Sequence, residues 1–261
     1  MPLTSPATET QRFTPRRRLV TLDALEPRGD ALVRCWFVGA DLTDFVSPNA
    51  TDHIKLQVPD AAGELVEPVR DAETGRIRNR QELGLRDMTP RVVAQGRVAI
   101  DIVRHAGGVV GAWLERARVG DQCALLGPRG SKRVTEPLDR LIAVVDLAAL
   151  PAAERRFHEL ALPGELHLIG DGVTTLDLPD IVTVTRHPDP HGWSAAIDAV
   201  RHACPQTGRT LMWGAGEASG VANLRAALRA ADDANVFAQF NGYWQRGVSE
   251  YDHHAELPEV N

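Results

Sequence analysis

The chain has 261 residues, 43% of them hydrophobic and 25% charged, which suits a globular protein of one large or two modest domains. No window holds the roughly 20 apolar residues that a membrane span needs. The net charge of -6 argues against a nucleic-acid partner.

Residues 1–14 are polar and are expected to be disordered. Arg16-Arg17-Arg18 has the look of a twin-arginine signal, but Asp23, Glu26, Arg28 and Asp30 follow where an apolar segment would be needed. A cytoplasmic location is therefore expected. Cys35, Cys123 and Cys204 are far apart and show neither CxxC nor Cys/His metal spacing. They read as buried free thiols.

The first half reads as β. Runs rich in β-branched and aromatic residues predict strands over 34–38, 53–58, 91–94, 97–103 and 123–126. Val98, Ile100 and Ile102 alternate with Arg97 and Asp101, as in a half-buried antiparallel strand. Short strands with Gly and Pro between them suggest a barrel. Residues 59–85 carry ten charges and read as a long exposed loop, and a helix is expected over 109–117.

The character changes near Pro137. The charge balance is +2 up to that residue and -8 beyond it, so a basic pocket for an anion is expected in the first half. Strands are predicted over 141–145, 165–169, 181–185, 210–213 and 235–240, and helices over 150–160, 193–203 and 221–231. Strands alternating with helices imply a doubly wound α/β domain.

Four segments carry chemistry. Arg86-Asp87-Met88-Thr89-Pro90-Arg91 offers two guanidiniums and a hydroxyl to a phosphate, or is an edge strand with solvated arginines. His105-Ala106-Gly107-Gly108, leading into Gly111-Ala112-Trp113, is a glycine turn that starts a helix. Met212-Trp213-Gly214-Ala215-Gly216-Glu217-Ala218-Ser219-Gly220 joins a strand to a helix, with Ser219 placed to cap it. Its third glycine falls one residue late for the usual dinucleotide fingerprint, so nucleotide binding and simple packing stand equal. Asn241-Gly242-Tyr243-Trp244-Gln245-Arg246-Gly247 closes the last strand with two aromatics that either stack on a planar ring or pin the chain end.

The order and spacing of these segments resemble the siderophore-interacting family of flavin reductases. Asp52-His53-Ile54-Lys55-Leu56, Val119-Gly120-Asp121, Gly127-Pro128-Arg129-Gly130-Ser131 and Ala149-Leu150-Pro151-Ala152 add to the likeness. The resemblance implies an FAD-binding antiparallel β-barrel over 15–136 and an NAD(P)-binding-like, doubly wound α/β domain over 137–250. A C-terminal tail over 251–261 follows. It implies transfer of electrons from NADH or NADPH through FAD to a ferric siderophore or related ferric chelate, with release of Fe(II), by a monomer.

Carried over by position, Arg86, Met88, Thr89, Arg91, Asp101, Val103, His105, Gly111 and Ala112 would meet FAD. Trp213, Gly214, Gly216, Glu217 and Ala218 would face the nicotinamide nucleotide. Tyr243 and Trp244 would lie near the rings. Lys132, Arg133 and Arg246 would receive an anionic siderophore. No side chain is implied as acid, base or nucleophile, and no resident metal is implied.

The chain departs from the family at three places. Met88 stands where an aromatic is usual, Val109-Val110-Gly111-Ala112 where Gly-Pro-Ala-Ser is usual, and Val145-Asp146-Leu147-Ala148-Ala149 where Gly-Asp-Glu-Thr-Ala is usual. Each change removes a cofactor contact, which opens a second reading: a flavin-free, catalytically degenerate binding module on the same fold.

Overall fold

The computed structural model describes residues 3–260 except Gly75, Ala106, Pro190 and the segments 204–207 and 230–234. Cys204, Ala106 and the last two residues of the helix expected over 221–231 lie outside the described residues. The chain divides into two compact units, Gln11–Ser131 and a second made of Met1–Thr10 with Lys132–Asn261.

The N-terminal stretch is not without structure. Strand β1, Thr8–Arg12, pairs with β9, Gly130–Val134. Ahead of it, Ala7 N–H donates to the Glu136 carboxylate at 3.0 Å, and Thr4 bridges to Phe237. Backbone pairing, which residue polarity does not report, orders these residues.

The first unit is a seven-stranded antiparallel sheet. Its strands are β2 (Arg17–Pro27), β3 (Leu32–Val38), β4 (Ile54–Gln57), β5 (Arg86–Met88), β6 (Pro90–Ala94), β7 (Arg97–Val103) and β8 (Gln122–Leu126). They run in the order β5-β4-β8-β2-β3-β7-β6. The sheet curls into a nearly closed barrel, open at the seam between its end strands β5 and β6. These are consecutive in sequence, with only Thr89 between them. Inward side chains fill the barrel: Val20, Leu22, Cys35, Phe37, Leu56, Val98, Ile100 and Leu125 are all buried.

Helix α1, Val109–Leu114, follows β7. It stops three residues short of the expected end, in a turn where Arg116 N–H donates to Trp113 O. The Trp113 ring packs on Phe37 at 6.5 Å between centroids, and its N–H donates to Asp121 at 2.9 Å. Between β4 and β5 no named strand or helix forms among the described residues, but the loop is fastened. Arg17 bonds Glu67 at 3.0 Å, Gln57 donates to Val66 O at 2.6 Å, and Arg116 donates to Asp60 O at 2.6 Å.

The second unit holds a parallel five-stranded sheet: β10 (Arg140–Asp146), β11 (Gly164–Ile169), β12 (Val182–His187), β13 (Thr210–Glu217) and β14 (Val236–Trp244). Helix α2 (Leu150–Leu160) follows β10, α3 (Trp193–Ala203) follows β12, and α4 (Ala218–Arg229) follows β13. The strand order is β12-β11-β10-β13-β14. The winding therefore reverses at β10.

Helices cover both faces, so the middle strand β10 is an apolar run from Leu141 to Val145, as a covered parallel strand requires. Ile142, Val144 and Met212 pack with Trp193 and Val200 of α3 and with Leu224 and Leu228 of α4. On the opposite face the Arg156 guanidinium of α2 lies over the Trp213 ring at 4.7 Å. The C-terminal stretch also packs on this unit: a Cβ at Gly242 would meet the Tyr251 hydroxyl at 2.7 Å and Leu257 at 3.2 Å.

Candidate functional site

In the barrel unit, two of the predicted segments converge. The β6–β7 ladder pairs Pro90 with Ile100, so the 86–91 segment lies beside the end of β7 and the turn that follows it. The loop before β5 packs on the start of α1, where a Cβ at Gly84 would come 2.8 Å from Val109 Cγ1. The barrel seam and the α1 turn thus form one end of the unit. Arg86, Met88, Thr89 and Val103 are half-buried there, His105 and Ala112 are exposed, and Arg91 is buried.

Met88 also packs against the barrel core. His105 folds back over the helix start, since a Cβ on Gly111 would lie 2.5 Å from His105 Nδ1. That contact explains why no side chain stands at position 111.

Asp101 is placed differently from its neighbours. Its side chain is fully buried, 0% exposed, between two guanidiniums. Arg28 bonds it at 2.5 Å, and Arg34 grips it through two nitrogens at 2.7 and 3.0 Å. It braces β7 against Arg34 of β3 on the face opposite Val98, Ile100 and Ile102, and offers no oxygen to a ligand.

In the α/β unit, the predicted residues gather at the carboxyl edge of the sheet, where open α/β sheets take ligands. The glycines there answer to packing. A Cβ at Gly214 would meet Leu224 at 2.7 Å and Phe240 at 3.0 Å, and one at Gly216 would overlap the Asp146 carboxylate. Trp213 is buried beneath Arg156, whose Nη1 donates to Gln239 at 2.5 Å. Of this segment, Glu217 reaches the surface region and Ala218 is buried.

The α4 cap is not Ser219. The helix starts at Ala218, three residues ahead of the expected 221, and Glu217 Oε2 accepts from Gly220 N–H at 2.8 Å. Glu217 Oε1 accepts from the backbone N–H of Arg246 at 3.3 Å, and the Arg246 guanidinium lies on the His191 ring at 2.9 and 3.3 Å. Tyr243 is half-buried and Trp244 is 38% exposed.

Lys132 and Arg133 stand apart from Arg246. They lie on β9, outside the five-stranded sheet, and Arg133 is paired with Glu9 at 2.9 Å.

The sequence reading missed Asp146. It ends β10 at the reversal of strand order and accepts hydrogen bonds from Glu217 N–H and the Trp244 indole N–H, both at 2.8 Å. Burial pushes its carboxyl up to about 6, against the pull of four N–H donors. The signal was there: Asp146 coincides with the Asp of the Gly-Asp-Glu-Thr-Ala stretch that the resemblance expects at 145–149, but the residues lost around it drew the attention.

An antiparallel barrel followed by a parallel α/β sheet is also the fold of the ferredoxin reductase in carbazole 1,9a-dioxygenase, which superposes with a TM-score of 0.56 at 14% identity, a likeness of fold alone. Residues 21–132 match the profile of the siderophore-interacting FAD-binding domain. The chain is 27% identical over 242 residues to the ferric vibriobactin reductase of Vibrio cholerae, covering 86% of this chain and 88% of that protein. It is 31% identical over 147 residues to the NADPH-dependent ferric-chelate reductase of Escherichia coli, an alignment that spans 56% of this chain and 58% of the relative. The solved structure of a siderophore utilization protein from T. fusca superposes with a TM-score of 0.81 at 29% identity, covering 95% of this chain and all of that one.

Proposed function

We propose that this chain is an FAD-dependent oxidoreductase that takes electrons from NADPH and delivers them to a ferric siderophore or related ferric chelate, releasing iron as Fe(II). The observation that carries this reading is the convergence of the barrel seam with the α1 turn, inside the segment that matches the FAD-binding domain.

The residues there suit FAD. Arg86, Arg91 and Thr89 carry donors that fit a diphosphate, and half-buried Met88 offers an apolar surface to a flat ring. His105 and Ala112 border the helix start. FAD, when bound, supplies the hydride and single-electron chemistry. The chain binds and orients it. Glu217, Trp244 and Arg246, at the carboxyl edge of the second sheet, receive the nicotinamide nucleotide. The relatives' names point to ferric chelates as acceptors and, in one case, to NADPH as donor. Exposed Lys132 is the cation offered to an anionic chelate, apart from Arg246, which is given to the nucleotide.

An absorption spectrum of the purified protein, taken after incubation with FAD and gel filtration, tests the reading. A retained flavin band that bleaches with NADPH under anaerobic conditions, and recovers on adding a ferric siderophore, is the expected result. A protein that leaves the column colourless would point instead to a flavin-free binding module.

A further inference from the structure

Asp146 ends β10 where the winding of the sheet reverses. Its carboxylate is buried and faces four donors. Oδ1 accepts from Ala148 N–H at 2.9 Å and from Ala149 N–H at 3.3 Å. Oδ2 accepts from Glu217 N–H and from Trp244 Nε1–H, both at 2.8 Å. One side chain therefore fastens the turn into α2, the end of β13 and the end of β14. Gly216 leaves the room for it, because any Cβ there would overlap the carboxylate. Trp244 is held by its N–H while 38% of the residue stays exposed, so the indole is a fixed surface rather than a free rotor.

We propose that Asp146 is a positioning residue of the nucleotide site: it holds the Trp244 indole and the Glu217 backbone in the arrangement that receives the nicotinamide nucleotide. This rests on the reading that the second unit takes NADPH. The carboxylate suits the task because both oxygens accept. An asparagine would turn its NH2 toward two of the four N–H groups, losing bonds that a buried anion makes strong.

Calorimetric titration of NADP+ into the full-length protein tests this without turnover. Asp146→Asn is expected to weaken NADP+ binding about tenfold while keeping a cooperative melt and the wild-type flavin content. Its tryptophan emission should shift to the red as the indole is released. Trp244→Phe should weaken NADP+ to a similar degree, and the double variant should be no worse than Asp146→Asn alone, since both changes remove one contact.

Binding by Asp146→Asn within about twofold of wild type overturns the proposal, as does independent multiplication of the two defects. Should Asp146→Asn not fold, Trp244→Phe decides, and wild-type affinity there overturns it. A wild-type protein that takes up no NADP+ overturns the NADPH reading and this proposal together, whereas a normal wild type with an unaffected Asp146→Asn overturns this proposal alone.

Discussion

Two buried aspartates show how the same side chain is put to different uses. Asp101 sits between the guanidiniums of Arg28 and Arg34, a buried ion triad on the face of β7 opposite the barrel core. Removing its carboxylate leaves two cations in a buried setting, so Asp101→Ala should cost about 3–5 kcal/mol, read as a drop in melting temperature. Asp146 has only neutral N–H partners, so burial wins and its carboxyl rises to about 6 from 3.8. Tyr243 on β14 lies in the field of both Asp146 and Arg156. A raised acid favours its protonated form in the fold. The stability it contributes is present below about pH 4 and is lost as pH rises through about 6, a difference on the order of 3 kcal/mol. Melting curves of wild type and Asp146→Asn should therefore converge as pH rises across that window. Curves that stay parallel would show that Asp146 titrates normally.

At the scale of elements, the crossover from β13 into α4 concentrates several constraints. Gly216 has φ +138 and no room for a side chain. Gly216→Ala should destabilise by about 1–3 kcal/mol through strain and overlap with Asp146. Glu217→Ala, which removes the cap on Gly220, should cost about 1 kcal/mol, and Glu217→Gln should recover most of it. Both are read from denaturant midpoints.

The α/β half was legible because its central strands are continuous apolar runs; the helices over 150–160 and 193–203 fall where the sequence places them. β2 was less legible. Arg18 is buried, bonding carbonyls of Asp41 and Gly127 at 3.0 Å, while Leu19 is 48% exposed, so its alternation runs against hydrophobicity. The site was readable as segments but not as side-chain roles. Asp101 and Trp213 stood in promising motifs yet are buried, and the partners of Asp146 lie 71 and 98 residues away along the chain.

At the scale of the whole molecule, the first ten residues belong to the α/β unit and the barrel is the stretch between them and Lys132. Deleting residues 1–10 should therefore weaken the α/β unit, which loses the Thr4 bridge to Phe237 and the Ala7 bond to Glu136, while the barrel keeps its ladder. Hydrogen exchange resolved along the chain would check this, with faster exchange expected over β14 and unchanged exchange over β7.

The barrel's own two ends are neighbours. Gln11 O lies 2.9 Å from where a Cβ of Gly130 would be. A segment whose entrance and exit touch behaves as a cassette. It can be lifted out, closed head to tail by a short peptide and reopened elsewhere on its surface, as circular permutants are made. An isolated, permuted 11–131 that folds would let flavin uptake be studied apart from the donor, and the chain that remains, with Thr10 joined to Lys132, would do the same for the nucleotide.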